Sequence, residues 1–298
     1  MAAGTFITAE EVERSNAALD PAAPAVLVDL DWRAPGERGG PSAGGPFYPR
    51  KVLARYLDFV RLMGLVAYVA LPHEAPGSYK ANVVGLFLTG GRDLHPRFYH
   101  QALNGTHLSP ASESRYPVAM RQYEWARGRL PVLGVCWGSQ FLLVAAGGSL
   151  VQQLPNAVDH LRTYNLLRLE EGSWLHSAVG AARMVSHCNH HQGYHRVPAR
   201  YRVTAWDADD MPHSFESVEG VPELGFLGHP ERLLSDPRSR RMAAAFGELC
   251  RSLKTLSKPE AAPHAPLGEE VVEGIEGSAT EGDEAAAKGD VSEDDLSD

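Results

Sequence analysis

The segment Gly134-Val135-Cys136-Trp137-Gly138 sets a thiol two residues from a glycine on either side. That is the G-x-nucleophile-x-G spacing of a sharp strand-to-helix turn. Such a turn strains its middle residue, and the glycines let strand and helix approach without Cβ clashes. The thiol then projects at the carboxyl edge of a sheet, where the free amides and dipole of a helix N-terminus favour a thiolate. The plainer alternative is a small buried cysteine. It suits Cys188 and Cys250, which have no such glycines around them. A thiolate hydrolase also needs a histidine to pair with the sulfur and protonate the leaving group, and a carboxylate to orient the imidazole. His229-Pro230-Glu231 offers both. Pro230 disfavours helical geometry at His229, and in an extended segment residues i and i+2 project to the same side. Donors for an oxyanion complete the set: the Trp137 amide by elbow geometry, and Gly91 of the Gly90-Gly91 pair. A plain turn is the competing reading of that pair.

These residues need a sheet to hold them. Apolar runs at 25–32, 65–71, 83–88 and 131–135 read as strands, with helical spacing over 48–63 and a polar helical stretch over 114–130. Strands alternating with helices predict a mainly parallel sheet covered on both faces. Residues 137–146 are apolar on nearly every side, so this helix should be buried, and Gly147-Gly148 stop it. Short segments at 201–206, 214–218 and 224–227 are of antiparallel type, and an amphipathic helix over 238–256 closes the body. The loop over 33–46, rich in glycine and proline, is of a composition that a lid would use.

Composition limits the partners. The formal charge of −9 is uneven: residues 258–298 hold 13 acidic side chains and 2 lysines, so that segment carries −11 and residues 1–257 carry +2. A nearly neutral body has no basic field to attract nucleic acid or an anionic membrane. The acidic segment has no aromatic residue and is predicted to be a disordered tail on a catalytic domain spanning 1–257. No run approaches the roughly 18 apolar residues of a membrane helix, and the first twenty residues lack signal-peptide character. Three scattered cysteines fit a reducing compartment, so a cytoplasmic location is predicted, with a small-molecule partner and room for a homodimer.

Taken in order, FLTGGRDLHPRFY (87–99), PVLGVCWGSQFLLVAAGGSLVQQL (131–154), HHQ (190–192), FESVE (215–219) and GHPE (228–231) resemble the class I glutamine amidotransferase superfamily. More narrowly, they resemble its gamma-glutamyl-gamma-aminobutyrate hydrolase family, over about 26–246. The resemblance implies a flavodoxin-like three-layer sandwich with a small antiparallel addition and a Cys136, His229, Glu231 triad. It also implies hydrolysis of a γ-glutamyl amide through a glutamyl thioester, with no cofactor. By the same resemblance Gly91 and Trp137 form the oxyanion hole, and Gln140 holds the γ-glutamyl group. Asp93, Pro96 and Tyr99 match the family's GG-x-D…P…Y segment, with Asp93 implied to bind substrate, and His191, Gln192 and Glu216 match positions lining the substrate cleft. The chain departs from the family at His187-Cys188 and at Leu227-Gly228, which bears on the amine half of the substrate.

Three other readings compete. His187, His190, His191 and His195 crowd together and could ligate a metal. Adjacent histidines on an extended segment point to opposite faces, however, and no matching acidic or cysteine ligand pattern stands beside them, so no metal is expected. The same triad would serve a glutaminase subunit that passes ammonia to a separate synthase. A non-catalytic interaction protein on this fold is disfavoured by the intact Cys136, His229, Glu231 set.

Overall fold

The computed structural model describes residues 6–35, 37 and 45–256. The acidic segment 258–298 lies outside the described residues, as does most of the loop read as a lid. A short strand β1 (Phe6–Thr8) enters helix α1 (Ala9–Ala17), whose start is fixed by a reciprocal capping box between Thr8 and Glu11. In the sequence this segment reads only as a polar leader. Next come β2 (Pro24–Asp29) and a short strand β3 (Phe47–Pro49), which pairs with β1. Helix α2 (Arg50–Leu62) buries Leu53, Tyr56, Phe59 and Val60, a single face at helical spacing. Then β4 (Val66–Val69) and β5 (Asn82–Leu88) precede α3 (Pro110–Ala126), which begins on a proline where the missing N–H costs nothing. Strand β6 (Val132–Val135) runs straight into α4 (Trp137–Ala145), buried from Trp137 through Val144 as its all-round apolar sequence requires.

Beyond α4 the chain makes β7 (Ser149–Val151), β8 (Thr163–Leu169), α5 (Trp174–Val179), β9 (Arg183–Cys188) and β10 (Gly193–Arg196). It then makes β11 (Tyr201–Trp206), β12 (Pro212–Ser217), β13 (Glu223–Phe226) and α6 (Pro237–Leu256). Nine strands form one sheet in the order β4-β2-β5-β6-β13-β12-β11-β8-β9. From β4 to β13 every pairing is parallel, and from β13 to β9 every pairing is antiparallel. The antiparallel addition therefore supplies four strands, of which β8 and β9 carry no apolar run strong enough to mark them in the sequence.

Side chains alternate across the strands, so the core splits into two layers. Val26, Val28, Phe87, Leu133 and Val135 pack with Tyr56 and Phe59 of α2 and Phe246 of α6. Ala25, Leu27, Leu86, Leu88 and Val132 pack on the other face with Tyr123 of α3 and Trp137 and Phe141 of α4. The result is a helix, sheet, helix sandwich whose parallel strands all end on one edge. Ligand chemistry in such sheets gathers at that carboxyl edge. No helix among the described residues is long and apolar enough to cross a membrane.

Candidate active site

Cys136 lies between β6 and α4 with φ 49° and ψ −115°, a conformation that strains a residue bearing a side chain. Its N–H donates to Phe226 O at 2.8 Å, and its carbonyl accepts from the amides of Ser139 and Gln140, so neighbouring structure pins the elbow on both sides. The glycine spacing is a steric necessity. A Cβ on Gly134 would lie 2.5 Å from the Gly138 backbone, and one on Gly138 would overlap the Leu88 carbonyl.

His229 follows β13, the parallel neighbour of β6, so the elbow and the His-Pro-Glu segment leave the same sheet edge side by side. His229 Nδ1 is 2.7 Å from Glu231 Oε1, and both residues are buried. A methyl built on Gly90 would lie 2.9 Å from His229 Cε1 and 3.3 Å from Cys136 Cβ, so the imidazole and the thiol converge on that glycine. Burial alone would push the thiol up. The charge of the neighbouring His229 imidazolium, together with the Trp137 amide, brings it below its ordinary value. Burial likewise opposes charge on His229, yet Cys136 and Glu231 raise the ring to about 9. Burial also opposes ionisation of Glu231, and the His229 charge overcomes it and holds the carboxyl low. The arrangement favours a thiolate, imidazolium, carboxylate set.

The Gly90-Gly91 turn is held by residues that carry no motif of their own. Tyr56 Oη accepts from the Gly90 N–H at 3.0 Å, and Asp31 accepts from the Arg92 N–H at 3.3 Å. Arg115, buried on α3, donates to the carbonyls of Thr89 at 3.1 Å and Gly90 at 3.0 Å while pairing with Asp29 at 2.7 Å. Its guanidinium also lies 3.8 Å from the centroid of the Trp137 ring. One side chain thus ties together the two stretches that carry the Gly91 and Trp137 amides. Among the described residues neither amide donates to an oxygen, whereas the amides of Gly90 and Gly138 on their flanks do. Arg92 pairs with Asp31 at 3.0 Å and Glu37 at 2.7 Å, which anchors the described end of the loop over 33–46.

The remaining site residues divide. Gln140 is buried on the first turn of α4. Asp93 Oδ2 accepts from the His107 amide and meets His191 Nε2, each at 2.7 Å, and the His107 and His191 rings stack at 4.2 Å. Gln192 donates to Thr106 Oγ1 at 3.1 Å, while Pro96 and Tyr99 are buried in a 3-10 turn nearby. Asp93, His107 and His191 thus form one contact cluster, joined through the adjacent Thr106 to Gln192. Glu216 is placed elsewhere. It opposes Leu224, which opposes Leu133, three residues before the nucleophile, and its carboxylate is spent on the Trp174 amide at the start of α5 and on Arg202. Tyr194 Oη donates to Ser139 Oγ, which donates to Cys136 O, each at 2.7 Å, a brace visible only in three dimensions. Cys188 and Cys250 are buried thiols whose ionisation burial pushes up to about 12. The two departures from the family pattern touch: His187 O accepts from the His229 N–H at 2.8 Å, and a Cβ on Gly228 would lie 3.1 Å from the same oxygen.

With this geometry in place, comparison with known proteins gives the class. The peptidase C26 model matches residues 47–231, well over half of the chain. The chain belongs to that family, the gamma-glutamyl hydrolase-like branch of the class I glutamine amidotransferase superfamily. It is similar to "Putative glutamine amidotransferase Rv2859c" of Mycobacterium tuberculosis, 31% identical over 62% of this chain and 64% of that protein, so the match spans under two thirds of that relative's length. It is also similar to "Putative glutamine amidotransferase PB2B2.05" of Schizosaccharomyces pombe, 24% identical over 64% of this chain and 79% of that one. The crystal structure of a "putative gmp synthase subunit a protein" from Thermoplasma acidophilum shares the fold, with TM-score 0.58 at 15% identity over 78% of this chain and 97% of that one.

Proposed function

We propose that this chain is a cysteine hydrolase that cleaves a γ-glutamyl amide through a glutamyl thioester. The observation that carries the reading is the convergence of a strained Cys136 and a Glu231-bound His229 on Gly90. The Cys136 thiolate attacks the γ-carbonyl carbon, and the Gly91 and Trp137 amides receive the oxyanion. His229 gives its proton to the departing amine, the C–N bond breaks, and the glutamyl group is left on sulfur. His229 then takes a proton from water, the hydroxide adds to the thioester, and glutamate leaves as the thiolate is restored. Glu231 keeps the ring oriented and stabilises its charge throughout. Asp93, His191 and Gln192 present a polar wall to the substrate, with Gln140 on the glutamyl side. Glu216, spent on α5 and Arg202, takes no part.

A glutaminase subunit that hands ammonia to a synthase is the second reading. What favours it is 32% identity over 122 residues to anthranilate synthase component 2 of Pseudomonas aeruginosa. A panel of γ-glutamyl amines, γ-glutamyl peptides and free glutamine separates the two. Turnover of a γ-glutamyl amine by the chain alone supports the hydrolase. Glutamine as the sole substrate, cleaved only when a second protein is added, would support the subunit instead.

A further inference from the structure

Beneath the His229 segment the antiparallel strands bring together four buried residues that lie far apart in sequence: His160, Cys188, His190 and His213. Their donor atoms all lie within 4.8 Å of one another. Each histidine has one ring nitrogen committed to an acceptor. His190 Nδ1 is 3.0 Å from the Gln192 carbonyl and His213 Nε2 is 3.1 Å from Asp207 Oδ2, and both acceptors oblige the ring nitrogen to be the donor. His160 Nδ1 is 3.0 Å from the Asn165 amide, whose oxygen accepts from it while its nitrogen donates to the carbonyls of Asp159 and Tyr164. In the neutral rings the lone pairs therefore sit on His160 Nε2, His190 Nε2 and His213 Nδ1. Those three atoms are buried without a hydrogen-bond partner among the described residues. Buried polar atoms are ordinarily paired, and here three unpaired ring nitrogens belong to one cluster whose ligand atoms, the Cys188 sulfur among them, gather within 4.8 Å.

We infer that His160, Cys188, His190 and His213 form a closed structural site for a zinc-type divalent cation. Imidazole nitrogens and one thiolate suit a borderline-soft metal, and four buried protein ligands leave no open position for catalysis. Hydrogen bonds from the outer ring nitrogens to a carbonyl, a carboxylate and an amide oxygen are the partners that orient metal-bound histidines. Tetrahedral coordination needs donors about 3.3–3.6 Å apart, so the four side chains would draw in from their present spacing of up to 4.8 Å on binding. On binding, Cys188 releases its proton to solvent, and the thiolate with Asp207 balances the two positive charges of the ion. The expectation of no metal rested on four neighbouring histidines. Of those only His190 takes part, while His187 packs against the His229 ring, His191 faces Asp93 and His195 meets Ser149.

The site also lies under the candidate base. His229 N–H donates to the carbonyl of His187, next to Cys188, and Leu227 N–H donates to the carbonyl of His213, each at 2.8 Å. The ion would lock both strands that hold the backbone around His229.

The test uses the full chain, produced with zinc and separately with cobalt in the medium. Metal analysis is expected to give one zinc per chain. The cobalt form is expected to show a thiolate-to-cobalt charge-transfer band and tetrahedral ligand-field bands. Cys188→Ser should abolish the charge-transfer band. Asp207→Asn, which keeps all four ligands, should weaken zinc binding about 10- to 100-fold. Chelation should lower the melting temperature. Absence of bound metal in protein from both media would overturn the inference. So would zinc that survives Cys188→Ser with unchanged affinity but is lost in His107→Ala, since that ion would belong to the Asp93, His107, His191 wall.

Discussion

Arg115→Met tests the idea that one buried guanidinium holds the oxyanion donors in place. Arg115 and Asp29 are 4% and 2% exposed and pair at 2.7 Å. Removing one partner of a buried pair costs about 3–5 kcal/mol, because the other is left uncompensated. A domain of this size loses about 2–4 °C of melting temperature per kcal/mol, so the variant should melt about 6–20 °C lower. Burial raises the Asp29 carboxyl and Arg115 opposes that rise. Without the arginine Asp29 takes up a proton more readily, so the stability loss should shrink as the pH falls. Adding Asp29→Asn removes the stranded charge and should recover most of the melting temperature. It does not restore the donors to the Thr89 and Gly90 carbonyls or the guanidinium on the Trp137 ring, so kcat should stay low. Loss of one oxyanion donor is worth about 100- to 1000-fold, which bounds the expected fall. Thermal melts and kcat on a γ-glutamyl amide measure both. A double variant with recovered stability and wild-type kcat would refute the positioning argument.

Further outcomes follow from the same geometry. Activity should trace a bell in pH. Its acid limb lies below the ordinary thiol value, where Cys136 takes a proton, and its alkaline limb lies near about 9, where His229 loses the proton owed to the leaving amine. Glu231→Gln removes a charge that raises His229, so kinetics across pH should show the alkaline limb moved downward. Gly138→Ala places a methyl on the Leu88 carbonyl, and circular dichroism should report a destabilised fold or, if folded, activity assays should find none. Deleting residues 258–298 removes a charge of −11, so isoelectric focusing should show a higher pI while kcat/KM on a small substrate stays essentially unchanged.

How much was legible depended on whether chemistry or packing set the residue. The elbow showed in the sequence because two glycines are sterically obligatory, and His229-Pro230-Glu231 showed because three consecutive residues carry the pairing. The parallel strands showed because burial on both faces makes them continuously apolar. By contrast β8 alternates buried with exposed side chains, leaving Tyr164 and Leu166 open to solvent, and its segment has no strong apolar signal. Tyr56, Asp29 and Arg115 looked like ordinary helix and strand residues, since their role depends on three elements meeting. The His160, Cys188, His190, His213 cluster was hidden for the same reason, and the crowding of histidines at 187–195 pointed to partners that the fold sends in different directions. Glu216 is a motif position whose carboxylate accepts from the Trp174 amide at the start of α5 and pairs with Arg202, contacts that the sequence does not display.

The central claim is that Cys136 carries the acyl group, and mass spectrometry of acid-quenched turnover on a γ-glutamyl amide tests it most directly. The account predicts a γ-glutamyl adduct on the Cys136 peptide, and neither adduct nor turnover in Cys136→Ala. An adduct on Cys188 or Cys250, or undiminished turnover in Cys136→Ala, would contradict it.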